Sequence, residues 1–95
     1  MRIYISGAIT GTDDYMMRFK KAEKELKEEG MKVVNPATVN AMLPEDTSYE
    51  EYMEMSLCML QMCDAIYLLK DWENSKGANR EYGYALGRGK TIMYE

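Results

Sequence analysis

Glu81 is the residue whose surroundings most suggest chemistry. It lies in Asp64-Ala-Ile-Tyr-Leu-Leu-Lys-Asp-Trp-Glu-Asn-Ser-Lys-Gly-Ala-Asn-Arg-Glu81-Tyr-Gly-Tyr-Ala-Leu-Gly87, which reads as a buried strand, a polar loop and a helix. A carboxylate at the mouth of an α/β sheet can attack a sugar–base bond as a nucleophile. The same group can accept hydrogen bonds from a ribose without doing chemistry. Its place near the positive end of a helix is expected to keep Glu81 ionised, and a surface residue that merely complements the helix dipole would sit there too. Gly77 and Ala78 would let a ligand approach the helix start, and Trp72 could stack on a base. Asn74, Ser75 and Asn79 could satisfy hydroxyls.

A second polar, glycine-containing loop is Ser6-Gly-Ala-Ile-Thr-Gly11. Gly7 allows a sharp turn, Ser6 and Thr10 bring hydroxyls, and Gly11 leads into a helix whose free N–H groups can meet an anion. The loop is neither Gly-x-Gly-x-x-Gly nor a P-loop, so its motif does not point to a dinucleotide or a triphosphate. An ordinary strand-to-helix turn has the same appearance.

The elements that must position these loops follow from periodicity. Arg2–Ser6 is strand one. Helix one is expected to start at Thr12 or Asp13, either of which can cap it, with Tyr15, Phe19, Ala22 and Leu26 on its inner face and Gly30 as its stop. Met31–Val34 is strand two, ended by Asn35-Pro36, and an irregular stretch runs to Thr47. Ser48-x-x-Glu51 is a capping box that opens helix two, over residues 48–62. Ala65–Leu69 is a continuous apolar strand suited to the centre of a parallel sheet. Helix three runs from Lys76 to Arg88, stopped at Gly89, and Thr91–Tyr94 is the last strand. This order predicts an α/β fold: a small four-stranded parallel sheet of order 2-1-3-4 with helices on both faces, Rossmann- or flavodoxin-like. Its topological switch lies between strands one and three, and ligands bind outside the carboxyl ends of strands at such a point. Both polar loops start there.

Bulk properties narrow the function. Ninety-five residues, 46% apolar and 29% charged, are expected to fold as one globular domain. A net charge of −4 argues against a nucleic-acid polymer as partner. With no histidine, and with Cys58 and Cys63 not spaced as Cys-x-x-Cys, neither a metal site nor a disulfide is expected. No cofactor is implied. No secretory signal or membrane span is read, so the expected location is the cytoplasm. Ten methionines and eight tyrosines suit either a soft core or a subunit interface. Helix two is apolar nearly all round from Tyr52 to Met62, and such a helix must be covered on its second side as well. That predicts a homo-oligomer, dimer or tetramer, through residues 48–62.

Three segments together resemble the nucleoside 2-deoxyribosyltransferase superfamily: Ile3-Tyr-Ile-Ser-Gly, Cys63-Asp-Ala-Ile-Tyr, and Gly77-Ala-x-x-Glu-x-Gly-x-Ala-x-Gly-x-Gly-Lys90. Residues 1–95 as a whole resemble its short branch, borne by phages and bacteria. The resemblance implies that Glu81 matches the glutamate that attacks the anomeric carbon. It also marks two departures. The enzymes carry an aspartate on the preceding helix, where this chain has Ser56, and the transferases carry a second acid six residues before the nucleophile, where this chain has Ser75. The chain also stops after the fourth strand, whereas the transferases continue into an extension that completes a neighbour's pocket. A pocket without its partner acids is expected to bind rather than turn over. Phage anti-Thoeris proteins of this short branch look similar; they are oligomers that sequester cyclic ADP-ribose isomers, and some relatives take cyclic dinucleotides. The resemblance therefore implies riboses held by Glu81 and the asparagines (Asn35, Asn74, Asn79), an adenine on Trp72 or a tyrosine, and phosphates at helix N-termini or Arg18, in the host cytoplasm if the chain is phage-encoded. The alternative is an N-glycosidase or 2-deoxyribosyltransferase acting through Glu81.

Overall fold

A computed structural model describes all 95 residues. The elements are β1 (Arg2–Ser6), α1 (Tyr15–Glu28), β2 (Lys32–Val34), α2 (Pro36–Asn40), α3 (Tyr49–Gln61), β3 (Ala65–Leu68), a 3-10 turn (Trp72–Asn74), α4 (Lys76–Gly87) and β4 (Thr91–Tyr94). The four strands are all parallel in the order β2-β1-β3-β4. β1 and β3 pair from Ile3↔Ala65 to Ser6↔Leu68, so both central strands end level with each other. The expected fold is the observed one.

Alternation along the strands divides the interior in two. Ile3, Ile5, Ala65 and Leu69 pack against Phe19, Ala22 and Leu26 of α1. Tyr4, Ile66 and Leu68 face the opposite way, against Met59, Leu60 and Cys63 at the end of α3 and Ala85 of α4. β1 is therefore buried on both faces, and Tyr4 and Ser6 point to the α3/α4 side.

β2 and β3 are each one residue shorter at one end than expected, and α3 at both ends; three further differences have local reasons. α1 begins at Tyr15 rather than near Thr12, because the Thr12 hydroxyl and N–H both bond back to the Ile9 carbonyl and so serve a turn. Asp14 at its N-cap makes no side-chain capping bond. The stretch expected to be irregular contains α2: the Asn35 side chain accepts from the N–H groups of Ala37 and Thr38, and Pro36 occupies the first helical position. α4 ends at Gly87 rather than Arg88, with Gly89 at φ +68° beyond the cap. The capping box of α3 forms in both directions, Ser48 N–H to Glu51 Oε1 at 2.8 Å and Glu51 N–H to Ser48 Oγ at 3.1 Å. No helix is long and apolar enough to cross a membrane.

Candidate functional site

The sheet ends that carry the two polar loops open into a cleft of about 410 Å³. Its floor is the end of β1, and its walls are the loop after β1, the start of α1, α2 with the loop that follows it, and the first turns of α3 and α4. Glu81 stands at the floor, 7% exposed. Tyr4 Oη donates to Glu81 Oε2 and Ser6 Oγ donates to Glu81 Oε1, each at 2.6 Å. Ser56 lies buried on the inward face of α3, and its hydroxyl acts on the same pair. The site is thus a carboxylate hydrogen-bonded by two hydroxyls of β1, with the Ser56 hydroxyl of α3 nearby.

The environment sets its charge. Burial pushes the Glu81 carboxyl up to about 7, against the lowering effect of the hydrogen bonds from Ser6 and Tyr4 and of the nearby Ser56 hydroxyl. The expectation that the helix dipole holds Glu81 ionised is therefore corrected: loss of water outweighs it. Near neutral pH the residue is poised between acid and carboxylate. Burial, together with the charge and hydrogen bond of Glu81, keeps Tyr4 protonated far above the ordinary tyrosine range, so it stays a donor. Each carboxylate oxygen can still accept from a ligand hydroxyl, because one bond uses only one of its lone pairs.

Of the residues singled out from sequence, Gly7, Thr10, Ser75, Gly77, Ala78 and Glu81 line the cleft, and Ser6 joins them through its bond to Glu81. Gly7 is required by close packing, since a Cβ there would come within 2.9 Å of Leu69. Ser75 caps α4 by accepting from the Ala78 N–H at 3.1 Å. Six others lie outside the cleft lining. Gly11 makes an exposed turn at φ +81°. Arg18 donates to the Lys70 carbonyl at 2.8 Å. Asn35 is spent on capping α2 and on Glu23. Trp72 packs on Tyr82, with ring centroids 4.7 Å apart. Asn74 is exposed in the 3-10 turn, and Asn79 turns back to donate to the Glu73 and Ser75 carbonyls.

Other lining residues were not anticipated. Tyr4 lies under the floor, fully buried, while Tyr15, Tyr49 and Tyr52 give the cleft aromatic walls. Strand alternation held the signal for Tyr4, because it shares a face with Ser6. Asn40, the last residue of α2, lines the cleft and carries the one buried side-chain polar atom without a partner, its Oδ1. An orphaned acceptor in a cleft wall fits a hydrogen-bond donor on a ligand. Glu45, exposed on the loop before α3, is the only other carboxylate in the lining, and no lysine or arginine lines it. Lys76 stands at the rim, over the Tyr49 ring at 5.4 Å from its centroid.

The site is an enclosed glutamate at the switch point of a four-stranded parallel sheet. Three solved structures share the fold. A 2-deoxyribosyltransferase from Bacillus psychrosaccharolyticus matches with a TM-score of 0.80 at 21% identity, over 99% of this chain and 71% of that one. A CMP N-glycosidase from Clostridium botulinum matches at 0.68 and 21% identity, over 99% and 67%. A 2-deoxyribosyltransferase from Leishmania mexicana matches at 0.71 and 22%, over 98% of this chain and 62% of that one. No curated protein matches the chain. The chain belongs to the family described as Domain of unknown function (DUF4406), which matches residues 1–94.

Proposed function

We propose that this chain binds and sequesters a nucleotide-derived signal without turning it over, acting as a phage anti-defence sponge. The ligand class is a cyclic ADP-ribose isomer, with cyclic dinucleotides second. The observation that carries this reading is Ser56. It is the α3 residue that faces the Glu81–Tyr4 pair, and it is a hydroxyl where the enzymes place an acid. General acid help to a leaving group contributes about 10²–10⁴-fold, so a floor with one carboxylate and three hydroxyls favours holding over cleaving. Glu81 can accept from a ribose, the tyrosines offer faces for a base, and phosphates fit best at the rim, near Lys76 and the start of α4. A second reading, N-glycosidase or 2-deoxyribosyltransferase, is favoured by the hydrogen-bonded carboxylate itself and by the activities of the solved proteins that share the fold.

The test incubates the chain with a cyclic ADP-ribose isomer, removes free ligand by filtration, and heat-denatures the retained protein. Intact isomer in the supernatant is the expected result. Hydrolysed isomer or released base overturns the sponge, and base release from nucleoside monophosphates that Glu81→Gln abolishes would establish the enzyme.

Gly77 offers a separate check. Its φ is not positive, and a Cβ would meet Met53 Sδ at 3.5 Å and Tyr49 Oη at 3.7 Å, which is ordinary contact. The fold therefore tolerates a methyl group there, while glycine in a helix costs up to about 1 kcal/mol relative to alanine. Gly77→Ala is expected to raise the melting temperature and yet weaken binding of the same isomer, by crowding the cleft. Melting curves and a calorimetric titration measure the two effects; unchanged affinity would remove Gly77 from the site.

A further inference from the structure

α3 has a second face that the cleft does not use. Its inward stripe is Met53, Ser56, Met59 and Leu60, while Met55, Cys58 and Met62 are exposed along the other side. Met55 and Met62 are 41% and 58% exposed. Spacing of three and four residues puts these side chains on one line, the seam by which one helix packs on another.

Charge at the two ends of this line selects the occupant. Glu51 and Glu54 flank its N-terminal end and are exposed. At its C-terminal end Arg2 donates to the Met62 carbonyl at 3.1 Å, and Lys90 donates to the carbonyls of Gln61 and Cys63 at 3.0 and 2.7 Å. Neither cation has an ion-pair partner, since the chain's two ion pairs are Lys27–Glu23 and Arg80–Glu50; the exposed Asp64, which accepts from the Arg2 backbone N–H at 2.8 Å, leaves this end with two cations against one acid. A surface with acids at one end of an apolar line and unpaired cations at the other is complementary to itself turned through 180°. A groove of about 520 Å³ beside Met55 and Cys58, lined by Leu43 and Pro44 and also by Asp46, Thr47, Glu51 and Glu54, extends the acidic end of the line.

We propose that α3 pairs antiparallel with α3 of a second copy, about a two-fold axis beside Cys58. Met55 then meets the Met62 of the other copy, and Glu51 and Glu54 meet its Arg2 and Lys90. A parallel pair would set glutamates against glutamates. Pairing covers the apolar side that a single chain leaves in water. It also backs the cleft wall, because the inner face of the same helix carries Tyr52, Met53 and Ser56.

Cys58 reports on the geometry, because only a thiol near the axis meets its own copy within disulfide reach, Cα atoms less than about 7 Å apart. The purified chain is expected to sediment at twice the mass of one chain, or at a larger even multiple, and to form a covalent dimer with diamide, which takes the two electrons and two protons. Cys58→Ser should abolish the cross-link and keep the mass. Cys63→Ser should change neither, Cys63 being buried. Met62→Glu puts an acid against the other copy's acids; it should raise the dimer dissociation constant about 100-fold and leave the circular dichroism spectrum intact. A single-chain mass at tens of micromolar, or a dimer that diamide does not cross-link through Cys58, overturns the proposal. So does capture of a different protein that Met62→Glu abolishes while the chain alone stays single.

Discussion

At pH 8, Glu81→Gln melts above the parent chain and no longer retains a cyclic ADP-ribose isomer. The two effects have one origin. Glu81 is 7% exposed, and burial lifts its carboxyl from an ordinary 4.5 to about 7 in spite of its hydrogen bonds. A group whose folded value is raised stabilises fully below its unfolded value, and that contribution is lost as pH rises through the folded one. The window is therefore pH 4.5 to about 7, and above it the parent carries the whole cost of a buried charge. The size is about 3 kcal/mol at most, which in a chain this small is a shift of about 5–10 °C once relaxation is allowed for. Glutamine keeps the shape and carries no charge, and the Tyr4 and Ser6 hydroxyls can reorient toward its amide. Glu23 and Glu51 have the opposite sign, because hydrogen bonds lower both, so their stabilisation is lost as pH falls. They are common to parent and variant, and the difference between the two melting profiles isolates Glu81. Binding moves the other way: removing a charged acceptor for ribose hydroxyls weakens it about 10–100-fold. Equal pH slopes, or a variant that melts lower at pH 8, would show that Glu81 is not a charge held in the floor at the expense of stability.

The fold was legible because its signals are redundant. Ala65–Leu69 reads as a central parallel strand from composition alone, and the alternation of strands and helices fixes the order around it. What failed was local competition. Thr12 reads as a cap until its hydroxyl is found bonded to Ile9, and Asn35-Pro36 reads as a stop although the same pair opens α2. The site was legible to the extent that it is topological: Glu81 and the two loops follow from the switch point. The rest depends on packing between distant segments. Tyr4 sits in a run of buried residues and reads as core. Tyr49 and Tyr52 reach the cleft only because α3 begins beside the start of α4, and Asn40 only because α2 exists. Trp72, which in a polar loop suggests a ligand face, lies outside the cleft lining with its ring against Tyr82, ten residues on in the next helix. Arg18 likewise lies outside the lining, its guanidinium donating to a backbone carbonyl.

Ser56→Asp should turn the cleft toward catalysis. Ser56 is 4% exposed, and its hydroxyl acts on both Glu81 and Tyr4. A carboxyl in its place would share a water-poor pocket with Glu81. Two such groups do not both ionise near neutral pH; they share a proton and titrate as a pair. One member is then an acid and the other a nucleophile, the division of labour that cleavage of a glycosidic bond needs. The Glu81 oxygen bonds to the anomeric carbon as the carbon–nitrogen bond breaks, and the electron pair leaves with the base, which takes the proton of the introduced aspartate. That carboxylate then accepts a proton from water as the water oxygen bonds to the anomeric carbon and frees Glu81. Base release from nucleoside monophosphates is expected to rise about 100-fold over the parent, the lower end of what general acid catalysis supplies. The fold should lose about 1–3 kcal/mol at neutral pH, least near pH 5, where both carboxyls are protonated more often. Ser56→Asn is the control, of similar size and with no proton to give, and it should show no release. If Ser56→Asp folds, still retains a cyclic ADP-ribose isomer and releases no more base than Ser56→Asn, then the missing acid is not what separates this cleft from an enzyme. The restraint would then lie with Glu81 itself, in the two hydroxyls that already occupy its oxygens.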